Sequence, residues 1–132
     1  MEIHDTCCIV VERDGKFLTI RKSPQKTDCD MLALPGGHVE KGESIFDAAQ
    51  REANEEVGAV EVTDKESIFS FEHIPEKHLP IHKHMCHTFR GRIVGELRPG
   101  DDACEILWMT KEELLNDPNV KMFTKKILKE KY

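Results

Sequence analysis

The chain has 132 residues, with 25 Asp and Glu against 19 Lys and Arg and a formal net charge of −6. That length suits one compact domain whose core needs no staples, and 39% hydrophobic with 33% charged residues excludes a disordered chain. The acidic balance opposes duplex DNA or long RNA, whereas free nucleotides are small, arrive with their own cations and need only a few local ones.

No apolar run approaches the roughly 20 residues of a membrane span. The opening Met1-Glu2-Ile3-His4-Asp5 lacks the basic-then-apolar order of a signal peptide. A single domain over 1–132, cytoplasmic and without membrane contact, is the expectation; a homodimer is left open. The five cysteines are odd in number and contain no C-x-x-C pair, so they read as reduced thiols rather than a disulfide frame or a thiolate zinc site.

In chain order, residues 7–13 and 16–22 are two runs of strand formers joined at Asp14-Gly15, which predicts an opening β-hairpin. A polar stretch at 23–30 precedes a short strand at 31–34, halted by Pro35-Gly36-Gly37. A helix is predicted over 45–57: Ser44 suits the N-cap, Asp47 stands at the reciprocal capping position, and Gly58 suits the stop. Its Ile45, Ala49, Ala53 and Val57 form an apolar stripe that can lie on a sheet. Strands follow at 67–72, 82–95 and 105–109, with a loop at 75–80. Helical segments at 111–116 and 119–129 close the chain, with Pro118 suited to start the second. Strands around a central and a terminal helix predict an α/β/α sandwich, a mixed sheet between helices.

Glu52, Glu55 and Glu56 fall on one face of the first helix. Like charges at these spacings cost roughly 0.2–0.5 kcal/mol per pair unless a cation relieves them. Oxygen donors at this density suit Mg²⁺ or Mn²⁺ better than zinc. Spacing alone leaves a solvated acidic face as an equal alternative.

The preceding residues separate the two. From Gly37, five residues lead to Glu43 and seven more to Arg51-Glu52; Ala53-Asn54-Glu55-Glu56-Val57-Gly58-Ala59 follows. This resembles the Nudix box, G-x5-E-x7-R-E-U-x-E-E-x-G-U, with every glycine, glutamate and arginine in register. Ala53 and Ala59 are smaller than the usual aliphatic residues of the two U positions. The resemblance extends to the N-terminal hairpin, to Leu34-Pro35-Gly36-Gly37 and to Glu105 through Trp108; Met31 stands where many members carry tryptophan.

The resemblance implies an enzyme that cleaves the diphosphate of a nucleoside triphosphate or of a sugar nucleotide such as ADP-ribose. The products are a nucleoside monophosphate plus pyrophosphate or a phosphate ester. It implies Mg²⁺ or Mn²⁺ held by Glu52, Glu55, Glu56 and the Gly36 carbonyl, supported by Gly37, Glu43 and Arg51. The general base comes either from the box glutamates, Glu55 and Glu56 among them, or from the later segment with Asp101, Asp102 and Glu105, where Glu105 has the longer reach. A non-catalytic nucleotide sensor is the competing class, which the complete carboxylate set disfavours. An RNA-end hydrolase is disfavoured by the acidic balance.

Arg21 and Arg90 are candidate substrate contacts, with Lys16 and Lys22 of the opening hairpin ranked below Arg21, each weighed against an ordinary surface charge. On the strand at 82–95, His82 and His84 share one face, but a histidine metal site there needs a third convergent ligand. Trp108 reads as core rather than a stacking platform.

Overall fold

The computed structural model describes residues 2–22, 31–74 and 82–132. The polar stretch at 23–30, Cys29 within it and the loop predicted at 75–80 lie outside the described residues. The chain forms β1 (Ile3–Val10), β2 (Glu12–Arg13), β3 (Lys16–Lys22), β4 (Leu32–Ala33), β5 (Gly36–His38), α1 (Ile45–Glu56) and β6 (Gly58–Val62). It continues through β7 (Phe69–His73), β8 (Lys83–Leu97), β9 (Ala103–Thr110), α2 (Lys111–Asn116) and α3 (Met122–Lys131). No helix among the described residues is long and apolar enough to cross a membrane.

The strands divide into two sheets. In one, β1 lies between β5 and β8; the long β8 also pairs with β7 along its first half and β6 along its second. In the other, β3 lies between β9 on one edge and β2 and β4 on the other. Asp14 and Gly15 both have positive φ, 53° and 76°, as a tight two-residue hairpin turn requires. The hairpin itself is short. Only Glu12 and Arg13 pair back onto β3, because most of the first run runs parallel to β8 from Ile3 to Val10. No local pattern announces that distant partner.

Alternation along the strands sorts the core into two layers. Cys7, Ile9 and Val11, with Leu18 and Ile20 of β3, pack with Ala49, Ala53 and Val57 of the α1 segment. Cys8, Val10 and Phe17 face the other way, onto Leu114 of α2 and Ile127 and Leu128 of α3. The α/β/α order predicted from sequence is therefore present, with the mixed sheet split and curled into two.

Two strands lie where none was predicted. Gly36–His38 is β5, pressed so closely onto β1 that a Cβ at Gly36 would collide with the Cys7 main chain. Gly58–Val62 is β6, which leaves α1 directly at Gly58, φ 88°. The last helix begins at Met122 and not at 119; Pro118 lies in the connection, where Val120 bridges to Leu32 and the Lys121 amide donates to the Leu32 carbonyl.

Candidate active site

Helix α1 starts where its chemistry directs: the Ser44 hydroxyl accepts the Asp47 amide at 3.0 Å. Its buried face carries Ala48, Ala49 and Ala53, and also Glu52 and Glu56. Glu56 is 1% exposed, and its Oε1 accepts the Gly36 amide at 2.7 Å while Oε2 lies 3.3 Å from Lys22 Nζ. Lys22 also lies 3.4 Å from Asp102. Glu52, Glu55 and Asp101 bring one carboxylate oxygen each within 4.8 Å of one another.

A single guanidinium organises the outer half of this cluster. Arg51 grips Glu43 with two bonds, Nε at 2.8 Å and Nη2 at 3.0 Å. The same group donates to Glu52 at 2.8 Å and to the His38 carbonyl at 3.0 Å, and stands 3.3 Å from Glu55. The planar fork thus ties the loop before α1, strand β5 and the helix to one point. Gly37 completes the fit, since a Cβ there would meet the Glu52 carboxylate at 2.5–2.7 Å.

The segment after β8 is anchored on the C-terminal end of α1. The Arg98 amide donates to the Val57 carbonyl and the Gly100 amide to the Glu56 carbonyl, which brings Asp101 and Asp102 alongside the glutamates. The result is a cleft of about 360 Å³ lined by Gly36, Glu52, Glu56, Asp101 and Asp102, with Lys22, Lys121 and Phe123 among its other walls. A larger hollow of about 650 Å³ is bordered by Arg90, Arg92 and Tyr132 and contains none of the box carboxylates. The smaller one gathers the acids and two lysines and is the candidate site.

Burial sets the titration. Desolvation pushes Glu56 up to about 8 against the opposing Lys22 ammonium and Gly36 amide, while a hydrogen bond shared with Asp102 reinforces the rise. Desolvation also raises Glu52, opposed by Arg51. For Asp102 burial acts upward, but the bond with Glu56 and the charge on Lys22 outweigh it and hold the group low. Glu43, held by Arg51, is lowered to about 2.

These shifts have opposite signs in stability. Glu43 has a folded value below its ordinary 4.5, so its contribution is full above 4.5 and is lost as pH falls toward 2. Glu56 is raised, so its contribution is full below 4.5 and is lost as pH climbs through 8. In chelator, the urea midpoint is therefore expected to fall between pH 4.5 and 8, and Glu56→Gln should flatten most of that decline. A wild-type midpoint that rises across this window would show that Glu56 is not held protonated.

Of the other candidates, Arg21 and Glu105 are cross-strand partners, joined at 2.9 Å, and Glu105 does not line the cleft. Arg90 is bound by Asp64 through two side-chain contacts of 2.8 and 3.1 Å, away from the box. Trp108 packs partly buried beside the core with the Arg13 guanidinium 4.3 Å over its ring.

Lys121 and Phe123 carry no signal in the sequence, and Lys22 ranks there below Arg21, yet all three line the cleft. Lys22 had a readable signal: it continues the Leu18-Ile20 parity, whose face turns toward α1. Lys121 and Phe123 had none, because the pairing of 120 and 121 with Leu32 brings them to the cleft.

The NUDIX domain family model matches residues 2–130. An ADP-ribose pyrophosphatase of Methanocaldococcus jannaschii is 34% identical over 122 residues, covering 92% of this chain and 68% of that protein. A CTP pyrophosphohydrolase of Escherichia coli is 29% identical over 120 residues, covering 89% and 84%. Among solved structures, a MutT NUDIX hydrolase from Burkholderia pseudomallei superposes with a TM-score of 0.83 at 21% identity, covering all of both chains.

Proposed function

The chain belongs to the NUDIX family and is a pyrophosphohydrolase, and from that premise we propose that it cleaves the diphosphate of a small nucleotide with a hard divalent ion on its box carboxylates. The observation that carries the metal assignment is the donor set. Glu52, Glu55 and Asp101 converge within 4.8 Å, and Glu56 is buried beside them, all offering oxygen alone.

Glu52, Glu55 and Glu56, with the Gly36 carbonyl, would hold Mg²⁺ or Mn²⁺, which when bound supplies neutralisation of the diphosphate and polarisation of phosphorus. The protein's own groups do the rest. Arg51 keeps Glu43, Glu52 and the β5 main chain in one arrangement, so the carboxylates need little rearrangement on loading. Lys22, in contact with Glu56 and Asp102, and Lys121 supply positive charge to the cleft wall, suited to phosphate oxygens, and Phe123 offers an apolar wall. Asp102 is the loop carboxylate whose position in the cleft wall supports a role as proton acceptor for the attacking water; Glu105, engaged with Arg21, lacks that support.

ADP-ribose and CTP, the substrates in the names of the two relatives, belong in the first assay with the common nucleoside triphosphates and nucleotide sugars. With Mg²⁺ or Mn²⁺, at least one is expected to yield nucleoside monophosphate by chromatography. Absence of monophosphate from every member, with both ions, would overturn the proposed substrate class.

A further inference from the structure

Five of the seven histidines gather on one face of the β5-β1-β8-β7 surface. Register explains why. His4 of β1 lies opposite His84 of β8, and His84 lies opposite His73 of β7. His38 of β5 pairs with Thr6, two residues along β1 from His4, and the two-residue side-chain period puts His4 and His38 on the same side. His82 precedes His84 by the same two-residue step, with its Nε2 3.0 Å from that of His84.

The rings are close together: His38 and His84 have centroids 5.0 Å apart, His4 and His82 4.5 Å, and His4 and His84 6.2 Å. One nitrogen each from His4, His38 and His84 falls within 4.8 Å of the other two. This is the third convergent ligand that the strand 82–95 alone did not supply.

We propose that His4, His38 and His84 bind a borderline transition-metal ion of the zinc class, with His82 as the fourth imidazole in reach. Imidazole nitrogen is the donor such ions prefer and Mg²⁺ does not, so this set and the carboxylate set select different metals. Zinc–nitrogen bonds of about 2.0–2.1 Å in a tetrahedron place ligand nitrogens about 3.3 Å apart. Each nitrogen pair must therefore contract by at most about 1.5 Å from the 4.8 Å limit. Burial holds His84, while the partly exposed His4 and exposed His38 have room to move. The Glu2 carboxylate, 3.0 Å from His4 Nε2, adds negative charge beside the rings.

An ion here would fasten β5 to β1 and β8. Strand β5 carries Gly36 and Gly37 against Glu56 and Glu52, and His38 and His84 line the same cleft as those glutamates. The site stands on imidazole geometry alone, whether or not the carboxylates turn over a nucleotide.

The test is calorimetric titration of the folded protein with Zn²⁺ in saturating Mg²⁺, with the histidine ring resonances followed by NMR. One equivalent is expected to bind and to shift the rings of His4, His38 and His84. His4→Ala and His38→Asn, both at sites with solvent access, should each weaken it by roughly tenfold or more, while Glu52→Gln leaves it unchanged. The proposal is overturned if no such equivalent binds, if either histidine variant binds Zn²⁺ like wild type, or if Glu52→Gln abolishes binding.

Discussion

Glu56→Gln is expected to lower nucleotide turnover by roughly 10²–10⁴ while changing substrate affinity far less. The substitution keeps the side chain's size and its acceptor for the Gly36 amide, so the loop before α1 stays supported. What it removes is a negative charge, at a group 1% exposed where no solvent ion can replace it. Charge that balances a reacting diphosphate matters most in the transition state, so the loss belongs in kcat. Metal-free Glu56 titrates near 8, so at neutral pH the neutral amide should fold about as well as the wild-type group. A folded variant with wild-type turnover would reduce Glu56 to a buried structural acid.

Asp102→Asn should cost turnover on a similar scale, roughly 10²–10⁴, and shed the acid limb of the single-turnover pH profile at saturating Mg²⁺. Glu105→Gln should cost less than tenfold. The contrast rests on position. Asp102 sits 3.4 Å from Lys22 and shares a hydrogen bond with Glu56 inside the cleft, whereas Glu105 spends its carboxylate on Arg21 across the β3-β9 pair. Equal small losses in both variants would return proton removal to the box glutamates. A large loss in Glu105→Gln alone would restore the argument from side-chain length.

The parts of this molecule that were legible in its sequence are those fixed by neighbours along the chain. Ser44, Asp47 and Gly58 delimit α1 because capping is a matter of a few residues, and its glutamates share a face because helical pitch dictates it. Asp14-Gly15 makes its turn for the same local reason. The splitting of 7–13 between two sheets was hidden, since it depends on β8, some 80 residues later, offering a parallel edge. Strand β5 was hidden too: its glycines read as a loop, yet the missing side chain at Gly36 lets that segment lie close on Cys7 and Cys8, and the one at Gly37 leaves room for the Glu52 carboxylate.

The same distinction holds for the site. The three helix glutamates could be grouped from helical spacing, and Arg51 and Glu43 named through the resemblance to the box, because that motif is contiguous. Side-chain length favoured Glu105 over Asp102, and the anchoring of Arg98 and Gly100 on the end of α1, a tertiary contact, brings Asp101 and Asp102 to the cleft. The histidine group shows the limit most clearly. Two members lie on one strand and could be paired by parity, but His4 and His38 join them only through the β1-β8 and β1-β5 registers.

The central claim, that Glu52, Glu55 and Glu56 of α1 form a working metal site for diphosphate hydrolysis, is tested most directly by the rate of nucleoside monophosphate release as a function of free Mg²⁺. Turnover should be absent in excess EDTA and return saturably with Mg²⁺ or Mn²⁺, with a parallel rise in melting temperature as the ion binds the native state. Full activity in excess EDTA would contradict it.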